Sequence, residues 1–144
     1  MAEPSTDTVF DKIIRGELPA QRLYEDDDVI VILDINPLAE GHALVIPKEP
    51  APTMGELSDG AAAAVGRVLP RLCRALRDVT GCPALHVLEN DGPEAGQEVP
   101  HVHVHVIPRR PGRETGAGLT TSWDPVAIDQ EALSEMGRRI ARRL

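Results

Sequence analysis

The sequence predicts an α+β fold in which a central helix and short flanking helices accompany an antiparallel sheet. Four or five short segments have the apolar composition of strands. One long segment instead repeats its apolar residues with the period of a helix. The segments do not alternate as regular β-α units, which disfavours a parallel sheet. A length of 144 residues is typical of a single domain, and we assign 1–144 to one domain.

The first half of the chain predicts a short helix followed by two strands. Residues 7–15 have helical spacing, and Asp7 is a possible N-cap. Residues 28–33 (DVIVIL) and 42–46 (HALVI) are apolar after their first residue and have the length of strands. Turn-forming residues at 34–37 separate them.

The second half predicts a long helix, two strands and a terminal helix. Residues 58–79 are amphipathic, and Pro70 inside them should kink or split the helix, because an interior proline costs about 3 kcal/mol. Residues 84–89 and 101–107 are predicted to be strands. Asp129 is a candidate cap for a helix with apolar positions at Leu133, Met136 and Ile140.

Composition and charge exclude several classes of function. The formal net charge is −8 and the pI is about 5.0, so the chain lacks the basic surplus that nucleic-acid binding requires. The aliphatic run 29–33 is too short to span a membrane, which takes about 20 residues. The N-terminus is acidic and polar, unlike a signal peptide. Cys73 and Cys82 form no CxxC pattern, so we expect a reducing, cytoplasmic location.

The segment 101–107, HVHVHVI, is the feature that bears most directly on function. His101, His103 and His105 alternate strictly with valine. Successive side chains of a strand point to opposite faces, so the histidines should share one face while the valines pack into the core. One interpretation is a surface strand that happens to carry imidazoles. Another is nucleophilic and acid–base catalysis, because neutral imidazole is a good nucleophile near its pKa of about 6.5.

A metal site is a third interpretation of the same segment. On a strand, His101 and His105 would be about 13 Å apart, too far for both to bind one zinc ion at about 2.1 Å. A site of two histidines completed by His42 or His86 remains open, although no Cys, His and Asp cluster at ligand spacing supports it. We therefore expect no metal and no cofactor.

The alternating segment resembles the His-φ-His-φ-His-φ-φ signature of the histidine-triad (HIT) superfamily, where φ is a hydrophobic residue. The loop that precedes it, NDGPEAGQEVP, is similar to the family's phosphate-binding loop. Further blocks match in the same order, and the resemblance is strongest over residues 8–110. These blocks lie at 10–20, 24–27, 33–37 and 41–48. The resemblance implies a HIT-like fold.

The resemblance also implies catalytic roles. His103 matches the nucleophile that forms a nucleotidyl-histidine intermediate, and His105 matches the histidine that contacts the α-phosphate. His101 matches the first triad member, which helps to orient the nucleophile, and His42 matches the upstream histidine that supports it. Asp34 matches the carboxylate that holds the ribose hydroxyls, a role for which two acceptor oxygens are suited. Its segment could also be only a turn.

A nucleotide pocket is implied around these residues. Asn90 and Gln97 match polar residues of the phosphate pocket, and the Gly- and Pro-rich loop 91–100 can turn its backbone N–H groups, those of 96–99 in particular, onto phosphate oxygens. Besides Asp34, His103 and His105, the residues implied in nucleotide binding are Val9, Phe10, Ile13, Ile32, Ile35, Asn90, Gly96, Gln97, Glu98 and Val99.

Two departures from the family pattern matter. Some bacterial relatives carry a zinc-binding Cys-x-x-Cys pair at the opening helix, where this chain has Thr8 and Asp11. Some branches place a hydroxyl residue three positions before the triad, thought to help the leaving group, where this chain has Glu98, so the resemblance leaves open how the leaving group is protonated.

The expected activity is hydrolysis or transfer at the α-phosphate of AMP-X substrates. The opening block FDKIIRGELPA is Hint-like, which favours purine nucleoside phosphoramidates, whereas DGPEAGQ followed by HVHVHVIPRR is Fhit-like, which favours dinucleoside polyphosphates. The alternative is a nucleotide-binding regulatory module with little turnover. The expected partners are a small nucleotide substrate and a second copy of the chain in a homodimer, because a sheet of few strands needs its edges covered.

Overall fold

The computed structural model of the chain describes residues 7–110 and 126–144. The 112–118 loop and Trp123, to which the sequence assigns no role, lie outside these residues. The elements in chain order are α1 (Val9–Ile14), β1 (Arg22–Glu25), β2 (Val29–Leu33), β3 (Ala43–Pro47), α2 (Asp59–Thr80), β4 (Ala84–Leu88), β5 (Val104–Arg109) and α3 (Gln130–Ala141), with single 3-10 turns at Met54–Glu56 and Pro93–Ala95.

The five strands of the described segments form one antiparallel sheet in the order β1-β2-β3-β5-β4, which confirms the predicted α+β class. Strand β1 is missing from the sequence prediction. Its segment RLYE lacks apolar alternation, and three of its four residues are exposed at the edge of the sheet. Only pairing with β2 makes it a strand.

Each face of the sheet packs against a different helix. Val29, Val31 and Val104 contact the apolar side of α2 in one buried cluster. Ile30 and Ile32, which alternate with these valines, pack with α1 in a second cluster on the other face. Because both faces are covered, β2 and β3 are apolar at every position rather than alternating.

Two helix predictions need correction. The N-cap of α1 is Thr8, not Asp7, because Thr8 and Asp11 form a reciprocal capping box. Helix α2 runs without a break through Pro70. Pro70 has no N–H to donate to the carbonyl of Gly66, four residues earlier in the helix. Both residues are exposed, so water can donate a hydrogen bond to that carbonyl instead.

The boundaries of β5 and the environment of α3 also differ from expectation. Strand β5 begins at Val104, so His101 and His103 precede it rather than lying on it. Helix α3 is capped by Asp129 as predicted, but its apolar residues are exposed. Among the described residues, no helix is both long and apolar enough to cross a membrane.

Candidate active site

A cavity of about 640 Å³ opens on the face of the sheet that carries α1. This volume is typical of small-molecule sites. The predicted residues that line it are Val9, Phe10, Ile13, Ile32, Asp34, Ile35, His42, Asn90, Gly96, Glu98, Val99, His103 and His105. Lining residues missed by the sequence prediction are Leu18, Pro19, Ala20, Leu33, Asn36, Leu38 and Leu44. The loop residues among these carry no periodic signal that could have identified them.

His103 is presented to this cavity with one defined nitrogen. Its Nδ1–H donates to the backbone carbonyl of His101 at 2.7 Å, which leaves Nε2 without a proton in the neutral ring. The ring is only 7% exposed and lies edge-on to Phe10, with 4.8 Å between centroids. Burial lowers the pKa of His103, so the ring is neutral at pH 7 and its Nε2 lone pair is available for attack.

His105 is held by a chain of hydrogen bonds that starts in the backbone. The Leu38 N–H donates to His42 Nδ1 at 3.0 Å, so the proton of a neutral His42 lies on Nε2. That Nε2–H donates to His105 Nδ1 at 2.9 Å. The proton of His105 is therefore on its Nε2, where it can be donated to a phosphate oxygen.

His42 and His105, the two histidines of this hydrogen-bonded series, are both kept neutral by their surroundings. Burial, followed by the neighbouring His103 and His42, lowers the pKa of His105 to about 4. Burial also lowers the pKa of His42, although the carboxylate of Asp34 opposes the shift.

The backbone just before His42 requires a glycine. Gly41 has a φ of +90°, and a Cβ at this position would come within 3.0 Å of a Thr80 methyl carbon.

His101 lies behind the cavity rather than in it. The ring is 1% exposed, and its Nε2 is 2.7 Å from the carbonyl oxygen of Pro47 on β3. Its Nδ1 is 3.6 Å from the Asp11 carboxylate on α1. His101 is thus placed to fix the backbone carbonyl that receives the Nδ1–H of His103.

The loop before the triad differs in part from the prediction. Gln97 does not line the cavity. Its side chain accepts from the Gly92 N–H and donates to the carbonyls of Pro52 and Val99, so it braces the loop. The amides of residues 96 and 97 also bond within the loop. The N–H groups of Glu98 and Val99 have no acceptor among the described residues. Of the four amides of 96–99 that were predicted to face phosphate, these two are therefore the ones not already used within the loop.

Asp34 forms the turn that was one of the two interpretations of its segment, and it also lines the cavity. Its Oδ1 accepts the N–H of Asn36 at 2.9 Å, so the segment is a turn. The residue also lines the cavity, and its Oδ2 is 3.5 Å from His42 Nε2. One carboxylate oxygen therefore faces the site.

Donor atoms of Asp34, His42 and His105 lie within 4.8 Å of one another, close enough to be considered as metal ligands. The hydrogen bonds argue against a metal here. A metal on His42 Nε2 would place the ring proton on Nδ1, where it would oppose the Leu38 N–H. His86 on β4 is the other candidate that the sequence left open. Its Nδ1 accepts a hydrogen bond from Nε of Arg109 on β5, and the residue is not part of this cluster.

Comparison with known proteins adds independent information. A family model described as HIT domain matches residues 15–112. An adenylylsulfatase of Arabidopsis thaliana is 41% identical over 88% of this chain, which spans 64% of that protein's length. An adenosine 5'-monophosphoramidase of Schizosaccharomyces pombe is 38% identical over 94% of this chain and 97% of its own. The crystal structure of a HIT family member from Bacillus subtilis superimposes with a TM-score of 0.88 at 37% identity, covering 96% of this chain and 97% of that one.

Proposed function

The chain belongs to the histidine-triad (HIT) family, and we propose that it hydrolyses AMP-X compounds at the α-phosphate through a nucleotidyl intermediate on His103. The observation that carries this proposal is the pairing of two neutral rings with opposite tautomers. His103 offers the lone pair of Nε2 to a ligand in the cavity, and His105 offers its Nε2–H. One ring is suited to attack phosphorus, and the other is suited to stabilise the charge on its oxygens.

The proposed reaction has two steps. His103 Nε2 bonds to the α-phosphorus as the bond from phosphorus to X breaks, and X leaves as HX with a proton taken from solvent water. Water then attacks the same phosphorus and gives a proton to solvent as the bond from phosphorus to Nε2 breaks, which releases AMP and restores the neutral ring. The Nε2–H of His105 and the amides of Glu98 and Val99, which have no acceptor within residues 7–110 and 126–144, would stabilise the oxygens in both steps.

The charges around the cavity support a phosphoramidate rather than a dinucleoside polyphosphate as the substrate. No lysine or arginine lines the cavity in the described part of the chain, whereas Asp34 and Glu98 do. The nearby His42, His103 and His105 are neutral because their pKa values are lowered. A polyphosphate leaving group would add negative charge beside these carboxylates, and no lysine or arginine among the described lining residues would offset it.

A side-by-side assay tests this choice. We expect kcat/KM for adenosine 5'-phosphoramidate to exceed that for diadenosine triphosphate by about 100-fold, the size of a few kcal/mol of charge repulsion. Glu98→Gln should narrow the ratio by favouring the polyphosphate. A preference for diadenosine triphosphate would contradict the assignment of substrate, and failure to cleave either compound would favour the regulatory alternative.

We also propose a cytoplasmic homodimer. Strand β4 is at the edge of the sheet, and its Val87 is 49% exposed. Beside this edge, Glu89 Oε1 and Arg109 Nη2 are buried without a hydrogen-bond partner among the described residues. A second copy covering the edge would protect it from other strands. Light scattering should give twice the chain mass, and a monomer at working concentration would contradict the proposal.

A further inference from the structure

The loop before the triad is bonded at both of its ends to residues 51–54, which we call the supporting segment. At the start of the loop, Asp91 Oδ1 accepts the N–H of Met54 at 2.7 Å. At the end of the loop, the side-chain amide of Gln97 donates to the carbonyl of Pro52, also at 2.7 Å. The loop and the supporting segment therefore keep a fixed distance from one another.

The supporting segment is itself anchored in the core. It lies between β3 and α2, and its first residue, Ala51, is buried. The Ala51 carbonyl accepts the N–H of Val102, a fully buried residue between two triad histidines, at 2.8 Å. Most of the loop residues 91–97 are exposed. An exposed loop that is bonded to an anchored segment takes its position from that segment.

The bond made by Asp91 replaces a helix cap that the local sequence does not supply. Met54 is the first residue of the 3-10 turn Met54–Glu56, and the side chain of the capping residue Thr53 makes no capping bond. The free N–H at the start of a helix is usually taken up by the side chain just before it. Here the acceptor comes from Asp91, 37 residues further along the chain. The cap thus joins two distant segments.

The loop moves as one unit because it is closed on itself. The Gly92 N–H donates to Gln97 Oε1 at 2.8 Å, and the Gln97 N–H donates to the Gly92 carbonyl at 3.1 Å. Gln97 Nε2 also donates to the carbonyl of Val99 at 2.9 Å. The N–H groups of Glu98 and Val99, which have no acceptor in the described ranges, follow directly after this closed unit. Its position therefore sets theirs.

We infer that Asp91 is a positioning residue, which fixes the loop so that the amides of Glu98 and Val99 meet the phosphate of a bound nucleotide. Successive amides of this kind bind phosphate oxygens only when the backbone holds them in place. Asp91 is not among the described residues that line the cavity, so it acts through the loop. The effect on phosphate rests on the proposed nucleotide site, whereas the bond between Asp91 and the supporting segment does not.

Binding of AMP and of adenosine, which differ only in the phosphate, tests this role by calorimetry. Asp91→Ala and Asp91→Asn both remove a negative charge, but only asparagine keeps an oxygen that can accept the Met54 N–H. We expect Asp91→Ala to bind AMP about fivefold more weakly than Asp91→Asn, the effect of one hydrogen bond. Adenosine should bind the two variants within about twofold of each other. Equal affinity of the two variants for AMP, or an equal loss for AMP and adenosine, would overturn the inference.

Thr53→Ala is the matched control for damage to the supporting segment. The hydroxyl of Thr53 donates to Glu56 Oε1 at 2.7 Å, a bond within the 3-10 turn that does not reach the loop. This variant should bind AMP within about twofold of the unmodified protein. A fivefold loss of AMP affinity here, as in Asp91→Ala, would assign the effect to the turn and not to Asp91.

Amide hydrogen exchange tests the bond between loop and segment without any nucleotide. The N–H groups of Met54 and Gln97 should exchange about fivefold faster in Asp91→Ala than in Asp91→Asn, whereas the buried N–H of Val102 should not change. Unchanged exchange at Met54 and Gln97 would overturn the inference even in a protein that binds no nucleotide. Faster exchange in Asp91→Ala, together with no binding of AMP by the unmodified protein, would instead contradict the proposed function and retain the role of Asp91 in holding the loop.

Discussion

The two faces of the sheet use the same strands for different purposes. On the α2 face, Val104 and Val106 of β5 are buried in a cluster that is apolar throughout. On the α1 face, the residues that alternate with them include His103 and His105, which are partly or fully buried but tied by hydrogen bonds. The α2 face is therefore apolar throughout, whereas the α1 face combines an apolar cluster with the proposed catalytic histidines. Substitution of α2-face core residues and of these histidines should thus have separable effects on stability and on turnover.

The largest separation is expected for His103→Ala. This change removes the proposed nucleophile and should lower turnover by at least about 10³-fold. Nucleotide binding should stay within about tenfold, or about 1.4 kcal/mol, because most of the cavity wall is unchanged. In the unmodified protein, quenched reactions analysed by mass spectrometry should carry a nucleotidyl adduct on His103. An adduct on His105, or full activity in His103→Ala, would contradict the assignment.

The opposite pattern is expected for Leu72→Ala on the α2 face. Leu72 is 8% exposed in the apolar cluster, and its truncation should lower the free energy of unfolding by about 2–5 kcal/mol. Urea unfolding measures this change, while kcat per folded molecule should stay within about twofold. Val79→Ala is the matched control, because Val79 is on the same helix and 86% exposed; it should change stability by less than about 0.5 kcal/mol. A large loss of kcat in Leu72→Ala would show that the faces are coupled.

The α2 face could be predicted almost entirely from the sequence. The period of residues 58–79 located the helix, and the apolar runs located β2 and β3 within one residue. Local spacing suffices there, because packing on that face needs only apolar side chains at regular positions. The error at Pro70 arose because exposure of the freed carbonyl depends on how the helix is oriented in the fold.

The α1 face could be predicted in residue types but not in connections. The triad alternation and the family resemblance identified the histidines and most of the cavity wall. The Leu38 amide that sets the tautomer of His42, and the Asp11 carboxylate beside His101, could not be found by spacing. Each joins segments distant in sequence or depends on loop conformation, as does the bracing role of Gln97.

The buried histidines should also make stability depend on acid. In the unfolded chain their pKa is about 6.5, whereas in the fold it is lowered for His42 and His103 and is about 4 for His105. The unfolded state therefore binds more protons between these values, so stability is present above about pH 6.5 and is lost as the pH falls toward 4.

Urea unfolding between pH 7 and pH 5 measures this loss. The range avoids most carboxylate titration, which begins lower. His105→Gln removes the group whose pKa is lowered to about 4 and should reduce the slope of stability against pH, whereas Val79→Ala should leave the slope unchanged. A free energy of unfolding that stays constant from pH 7 to pH 5 would contradict the prediction that the buried histidines destabilise the fold in acid.

The smallest effect expected on the α1 face concerns Asp34 and the sugar of the nucleotide. One oxygen of Asp34 is committed to the turn, and the other faces the cavity near His42, so it can accept a ribose hydroxyl. A hydrogen bond to a charged acceptor is worth about 1.5–3 kcal/mol, so ribose substrates should be preferred to 2'-deoxyribose substrates by at least about tenfold in kcat/KM. Asp34→Ala should remove most of that preference.

Asp34 also acts on the pKa of His42, so a change in the absolute rate would not by itself report on ribose binding. The ratio of kcat/KM for the two substrates cancels any effect on the chemistry that is common to both. Asp34→Asn is the matched control, since it retains an acceptor for the Asn36 N–H and should keep part of the preference. Equal rates for the two sugars in the unmodified protein would exclude Asp34 from ribose recognition and leave it as a turn residue beside His42.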